Sequence, residues 1–197
     1  GDGTDTFSGV ENVTGGSGTD TLTGDAGDNV LDGGSGSDTL AGGLGNDTLI
    51  GGTGTDVADY SGSSGAVTVD LANTGAQNTG SAGTDTLSGI ESVTGTGFGD
   101  TLTGDANANT LIGGAGADVL DGGAGNDTLE GNAGNDTLIG GTGTDTATYA
   151  NATSGVTVAL SNTGAQNTGG DGTDTLSGIE NLTGSTHDDT LTGDTGA

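Results

Sequence analysis

Gly33–Ala41 reads GGSGSDTLA, and Gly42–Ile50 follows it without a gap as GGLGNDTLI. Gly122–Glu130, GGAGNDTLE, repeats the pattern with almost no drift. Each position of this nine-residue unit, Gly-Gly-x-Gly-x-Asp-x-Leu-x, has its own physical task. The glycines open turn conformations closed to residues that carry a Cβ. The aspartate places a hard oxygen ligand at the end of the turn. The leucine stands between polar neighbours, so it points to one side of a short strand. A turn, a ligand and a core residue therefore recur together.

Working outward, full copies begin at Gly15, Gly24, Gly33, Gly42 and Gly51, at Gly80, then at Gly95, Gly104, Gly113, Gly122, Gly131 and Gly140, and finally at Gly169 and Gly184. A longer repeat lies over the short one. GAQNTG at Gly75–Gly80 returns at Gly164–Gly169, and GTDTLSGIE at Gly83–Glu91 returns 89 residues later at Gly172–Glu180. GTDTFSGVE at Gly3–Glu11 precedes the first of these by 80 residues, so the spacing has changed by one whole nonapeptide. That marks the nonapeptide as the structural module. The chain divides into units 1–79, 80–168 and a partial 169–197, with degenerate coils at 60–94 and 149–183. Within the breaks Val67, Val69 and Leu71 alternate with polar residues, as do Val156, Val158 and Leu160, and both runs read as strands. Each break is 35 residues, close to four nonapeptides, and is expected to replace about two coils within one continuous roll over 1–197. Glycine falls too often, and apolar residues recur too sparsely, for any helix. The chain begins and ends inside a copy and reads as a segment of something longer.

Composition sets the energetic problem. Apolar residues make up 27% of the chain, aromatics 2%, and glycine occupies 47 of 197 positions. The core leucines are Leu22, Leu31, Leu40 and Leu49, then Leu102, Leu111, Leu120, Leu129 and Leu138. Each contributes about 1.5–3 kcal/mol on burial. One such residue in nine does not offset roughly 1–2 kcal/mol of backbone entropy for every residue ordered. The 28 acidic residues face no Lys or Arg at all. Thirteen aspartates hold the sixth position of the repeat: Asp5, Asp20, Asp38, Asp47, Asp56, Asp85, Asp100, Asp118, Asp127, Asp136, Asp145, Asp174 and Asp189. Like charges stacked at that spacing repel unless a cation lies between them.

The same charge argues against nucleic acid, whose phosphates need Lys and Arg, and against anionic membranes. No apolar run of about 20 residues spans a bilayer, and no signal-peptide pattern opens the chain. The absence of cysteine excludes disulfides and thiolate metal sites. His187 is the only imidazole and reads as a surface turn residue, because no nucleophile and orienting acid gather around it in the sequence. Glu11, Glu91 and Glu180 hold equivalent places in the long repeat, so these carboxylates, like the isolated Glu130, read as structural rather than acid–base groups. The glycine turns lack the G-K-[ST] ending of a phosphate loop. The chain is not expected to be an enzyme.

These motifs resemble the RTX family, the hemolysin-type calcium-binding repeats of secreted bacterial proteins. The resemblance implies an all-β, calcium-bound parallel β-roll, a β-solenoid with two nonapeptides per coil and turns along both edges. Calcium would sit between turns of adjacent coils. Its ligands would be the thirteen aspartates and backbone carbonyls of turn residues such as Gly33, Gly34, Gly36, Gly42, Gly43, Gly45, Gly113, Gly114, Gly116, Gly122, Gly123 and Gly125. Asp38 and Asp56 would line one edge and Asp47 the other. Further on, Asp100, Asp118 and Asp136 would share an edge, with Asp127 and Asp145 opposite. The chemistry agrees: calcium takes 6–8 oxygen ligands in irregular geometry, whereas magnesium demands a tighter octahedron and zinc wants His or Cys. About 11 coils would stack to about 50 Å at about 4.8 Å per coil. GIESVT and GIENLT, at 89–94 and 178–183, would then share one side of the roll, with GVENVT at 9–14 opposite.

Family behaviour further implies a type I-secreted bacterial protein, extracellular or cell-surface, that stays unfolded in the low-calcium cytosol and folds outside. The two-level repeat suits a calcium-stiffened spacer of an adhesin, surface fibre or S-layer component, attached to further copies of the repeat. The alternative is the calcium-folding secretion module of an exported enzyme or toxin. Outward-facing Ile50, Ile112 and Ile139 would offer a surface for lateral self-association. An ice-binding solenoid is disfavoured, because the triplets Thr21/Thr23, Thr101/Thr103 and Thr190/Thr192 do not recur coil after coil. Four departures from the pattern mark uncertain turns: Asn29 and Asn109 in place of the aspartate, and Phe98 and His187 in place of the fourth glycine. Ala58 and Ala147 replace core leucines just before Tyr60 and Tyr149, whose rings would fill the space.

Overall fold

The computed structural model describes residues 9–195. Short strands alternate with glycine turns. The first are β1 (Asn12–Ser17), β2 (Thr21–Thr23), β3 (Val30–Ser35), β4 (Thr39–Ala41), β5 (Thr48–Thr53) and β6 (Val57–Asp59). The first break supplies β7 (Thr68–Asp70), β8 (Gln77–Asn78) and β9 (Thr84–Ser88). Regular coils resume with β10 (Ser92–Thr94), β11 (Thr101–Thr103), β12 (Thr110–Gly116), β13 (Val119–Asp121), β14 (Thr128–Gly134), β15 (Thr137–Ile139) and β16 (Thr146–Thr148). The second break supplies β17 (Thr157–Ala159), β18 (Gln166–Asn167) and β19 (Thr173–Ser177), and β20 (Asn181–Thr183) and β21 (Thr190–Thr192) follow. No helix occurs among the described residues.

Strands stack in parallel on the strand 18 residues away, as in Asn12↔Val30↔Thr48 and Thr110↔Thr128. Two nonapeptides therefore make one coil, and the chain forms a parallel β-roll with two faces. Every coil contributes one strand to an eight-stranded face, in the order β2-β4-β6-β10-β12-β14-β16-β20. The opposite face carries the odd-numbered strands, together with β8 and β18. The leucines of both faces point inward. Leu31, Leu40, Leu49, Leu102, Leu111, Leu120, Leu129 and Leu138 are fully buried, while Leu22 in the first coil is half-buried. Ala58 and Ala147 are fully buried, and Tyr60 and Tyr149 join the same core. Ile50, Ile112 and Ile139 face outward and are half-buried by their neighbours along the sheet.

The breaks do not replace two coils each. On the eight-stranded face β6 pairs directly with β10, Val57↔Ser92, so 35 residues advance the roll by one coil. The described residues hold eight coils on that face rather than about 11, which at about 4.8 Å per step is about 34 Å rather than 50 Å. The extra residues go into an antiparallel meander. β7 runs ahead to pair with β11, β8 doubles back, and β9 returns to pair with β5. The second break repeats this path, with β17 on β21, β18 antiparallel to β19, and β19 on β15. Gln77 bridges the diverging end of the meander: its side chain accepts from Asp70 N at 2.7 Å and donates to Asp70 O at 3.0 Å. Gln166 does the same with Ala159.

β8 and β7 thus separate β9 from β11 on one face, while β10 and β12 are bonded directly on the other. The wedge leaves an opening lined by Leu71, Leu87, Ile90 and Asp105, and an equivalent one lined by Leu160, Leu176, Ile179 and Asp194. Each meander removes two half-coils from the expected count, so face parity survives. GIESVT and GIENLT place β10 and β20 on the eight-stranded face, and GVENVT places β1 opposite.

Candidate metal centres

The sixth residue of each nonapeptide stands two residues before the inward leucine, so it sits where a turn enters a strand. Because turns stack every 18 residues, these residues form a column along each edge. One column contains Asp20, Asp38 and Asp56, and continues through Asn109, Asp127 and Asp145. The other contains Asn29, Asp47, Asp85, Asp100, Asp118, Asp136, Asp174 and Asp189. Within a column each carboxylate reaches back one coil through Oδ1. Asp20 N donates to Asp38 Oδ1 and Asp38 N to Asp56 Oδ1, both at 2.8 Å. Asp100 N donates to Asp118 Oδ1 at 2.7 Å, and Asp127 N to Asp145 Oδ1 at 2.8 Å. Asp38 and Asp56 share an edge opposite Asp47, and Asp100, Asp118 and Asp136 share an edge opposite Asp127 and Asp145, as the 18-residue period requires. Asp5 lies outside the described residues.

The second carboxylate oxygen separates the candidates. Oδ2 of Asp20, Asp38, Asp47, Asp56, Asp118, Asp127, Asp136 and Asp145 is buried with no hydrogen-bond partner. Seven of these eight side chains are 2% exposed or less. Each belongs to a turn whose second residue has a left-handed backbone: Gly16, Gly34, Gly43, Gly52, Gly114, Gly123 and Gly141, and Asn132 at φ 63°. The fourth-position glycines Gly36, Gly45, Gly116 and Gly125 are left-handed as well. The first-position glycines serve differently. A Cβ on Gly33, Gly42, Gly113 or Gly122 would run into the aspartate of its own turn. A Cβ on Gly15 would lie 2.6 Å from Asp20 Oδ2 and 2.8 Å from the carbonyl of Gly33 in the next coil. The carboxylate oxygen and the carbonyl of the next coil thus lie close together beside the first residue of the turn.

The remaining candidates are satisfied by the protein. Asp85 Oδ2 accepts from Thr79 Oγ1 at 2.8 Å and Tyr60 Oη at 3.1 Å, and Asp174 Oδ2 accepts from Thr168 Oγ1 at 3.2 Å. Asp100 Oδ2 accepts from Thr96 N at 2.6 Å, and Asp189 Oδ1 from Ser185 Oγ at 2.7 Å. Asn29 and Asn109 use their amide oxygens likewise, accepting from Asp25 N and Asp105 N at 2.8 Å. The turns containing Phe98 and His187 do close, by a different bond. Thr96 Oγ1 accepts from Phe98 N and Ser185 Oγ from His187 N, both at 3.0 Å, so no left-handed fourth residue is needed. His187 itself is exposed.

Two site residues escaped the sequence reading. Glu91 Oε2 accepts from Asp56 N at 2.9 Å, and Glu180 Oε2 from Asp145 N at 2.8 Å. Each fills the aspartate's place in its column after a turn shortened to Gly89-Ile90 or Gly178-Ile179, and the longer side chain spans the gap. The signal is present in the sequence: each glutamate stands two residues before a core residue, Val93 or Leu182, as Asp stands two before Leu in the repeat.

Burial dominates the electrostatics. It pushes Asp47 and Asp118 up to about 6 and Asp136 up to about 7, and neighbouring carboxylates in the same column add to the shift. Burial raises Asp127 also. Asp189 moves the other way, lowered first by the N–H of Val156 and then by Ser185 Oγ. Burial and the adjacent acids push the phenols of Tyr60 and Tyr149 up. A buried carboxylate with one unpartnered oxygen costs several kcal/mol unless a cation or a proton meets it. With no Lys or Arg in the chain, that cation comes from outside. Among the described residues no three His, Cys, Asp or Glu side chains gather as a metal site. Single carboxylates plus carbonyls form an all-oxygen donor set, which fits calcium rather than zinc or a transition metal.

The sequence matches the RTX calcium-binding nonapeptide repeat, a four-copy family unit, over residues 5–40, 14–49, 32–65, 94–129 and 115–147. The gap between the matched stretches, 66–93, is the first meander. No curated protein gives a match to the chain.

Proposed function

Because the chain belongs to the RTX calcium-binding nonapeptide repeat family, a family of structural and not catalytic repeats, we propose that it is a calcium-dependent spacer in a larger secreted or cell-surface protein. RTX repeat proteins are typically secreted or displayed at the cell surface, and among the described residues no helix is long and apolar enough to cross a membrane. The observation that carries the reading is the set of eight buried, unpartnered Oδ2 atoms in two edge columns. Asp20, Asp38, Asp47, Asp56, Asp118, Asp127, Asp136 and Asp145 would hold the ions, with turn carbonyls such as that of Gly33 completing each site. Calcium would supply the positive charge that the chain lacks. Once the coils stack, the leucines order the strands and the Oδ1 ladder holds each carboxylate in place. Repetition of the meander with the same Gln and Thr contacts supports a module that extends by whole units, as a surface fibre or adhesin stalk does.

Circular dichroism of the full chain tests this. At pH 7.5, where the carboxylates are charged, calcium at millimolar concentration should produce the β signal, excess chelator should abolish it, and magnesium at the same concentration should not restore it. Full β-structure in chelator would overturn the proposal.

A further inference from the structure

Four turns in the roll are built differently from the eight with unpartnered oxygens, and the difference lies at the second residue. Resting on the calcium reading above, we infer that only turns with a left-handed second residue take a calcium ion, whereas the turns at 24–29, 95–100, 104–109 and 184–189 are sealed by their own hydrogen bonds and take none.

Three observations agree. All eight unpartnered Oδ2 atoms lie in turns whose second residue has positive φ, and none lies in the four sealed turns. Where φ is positive, the second residue's N–H makes no hydrogen bond to the sixth residue's Oδ2. In the sealed turns this N–H points at it, as in Thr96 N to Asp100 Oδ2 at 2.6 Å and Asp105 N to Asn109 Oδ1 at 2.8 Å. Secondly, the side chain at the second position caps the fourth residue's N–H in all four sealed turns. Asp25 receives Gly27 N, Thr96 receives Phe98 N, Asp105 receives Asn107 N and Ser185 receives His187 N. These turns gain from their own side chains the order that an ion would otherwise provide. Thirdly, asparagine occupies the sixth position in two of the four sealed turns, at Asn29 and Asn109, and in none of the eight open ones. A neutral amide suffices where the oxygen only accepts an N–H, and would fail where a charge must balance a cation.

The second residue is thus a specificity-determining position for the metal. Gly or Asn in the left-handed conformation leaves a charged oxygen free; Thr, Ser or Asp ties it down. Each edge of the roll thus contains both calcium-dependent and self-sealed turns.

Native mass spectrometry of the full chain in saturating calcium reads the number of bound ions directly, with dichroism confirming the fold of each variant. Asp118→Asn should lose at least one ion relative to the parent chain. Asp100→Asn, on the adjacent turn of the same edge, should lose none. Thr96→Gly should gain one. Equal losses from Asp100→Asn and Asp118→Asn would overturn the inference, as would a folded Thr96→Gly protein with an unchanged count. If Thr96→Gly does not fold, the two asparagine variants still decide. A parent chain that binds no calcium at all would instead sink the proposed function.

Discussion

The turns Gly95–Asp100 and Gly113–Asp118 lie in adjacent coils of one edge, joined by the bond from Asp100 N to Asp118 Oδ1. They meet the same problem, a buried carboxylate, in opposite ways. Thr96 donates its N–H to Asp100 and caps Phe98 N, so the first turn is complete within the chain. Gly114, at φ 112°, makes no such bond, and Asp118 Oδ2 is unpartnered. One residue decides whether a turn is finished by hydrogen bonds or by an external ion. Turns closed by the chain's own hydrogen bonds and turns that depend on calcium share a single column.

The largest expected effect comes from removing the charge conflict without metal, because several carboxylates titrate together. Asp47 and Asp118 are raised to about 6 and Asp136 to about 7, against an ordinary 3.8. The folded form therefore binds protons that the unfolded chain releases, and stability rises as pH falls. Their destabilisation is complete above pH 7, begins to be relieved as pH falls through 7–6, and vanishes only below 3.8. In chelator, dichroism should show β-structure increasing from pH 7.5 to 5. In saturating calcium the trend should reverse, since protons compete for the same oxygens. Asp189, whose shift is downward, should oppose the metal-free trend only weakly.

Next in size is a direct attack on the open turn. Gly114→Thr forces a branched side chain into a left-handed backbone, and its Cβ would overlap the carbonyl of Thr96. The cost should be roughly 3 kcal/mol, read as a lowered urea midpoint in saturating calcium. The smallest effect should come from the sealed turn. Phe98 is 47% exposed, and only its backbone N–H is used. Phe98→Ala should change the unfolding free energy from urea titration by no more than about 0.5 kcal/mol. A large loss there would break the contrast between the two turn classes.

Much of this was legible from residues alone. Nine-residue spacing of Leu40 and Leu49, with polar neighbours, calls for short strands with an inward leucine, and the family resemblance, with two nonapeptides per coil, put them on opposite faces. The 18-residue return then puts Asp38 and Asp56 on one edge and Asp47 on the other. The all-β reading and the absence of helix follow from glycine frequency. Less visible was the role of Glu91 and Glu180, because a shortened turn hides their register with the aspartates. Phe98 and His187 drew attention as missing glycines, although the deciding residues were Thr96 and Ser185 two positions earlier. The breaks were legible as strands at Val67–Leu71 and Val156–Leu160 but not as meanders. Their length matched four nonapeptides, and nothing local says that β7 pairs with β11 rather than β5.

The sequence by itself determined the period, the inward leucines, the recurring aspartates and the need for a cation that the chain does not contain. Those are consequences of spacing and composition, which every copy carries locally. The two faces and two acidic columns came with the family resemblance, which implies two nonapeptides per coil. Only the tertiary structure decided which carboxylate oxygens remain unpartnered and how the chain passes through its breaks. Whether Asp118 or Asp100 is satisfied depends on the direction of one N–H and on donors 18 residues away. Whether β9 or β7 follows β5 depends on hydrogen bonds between strands 35 or more residues apart. Such contacts exist only once the coils are stacked.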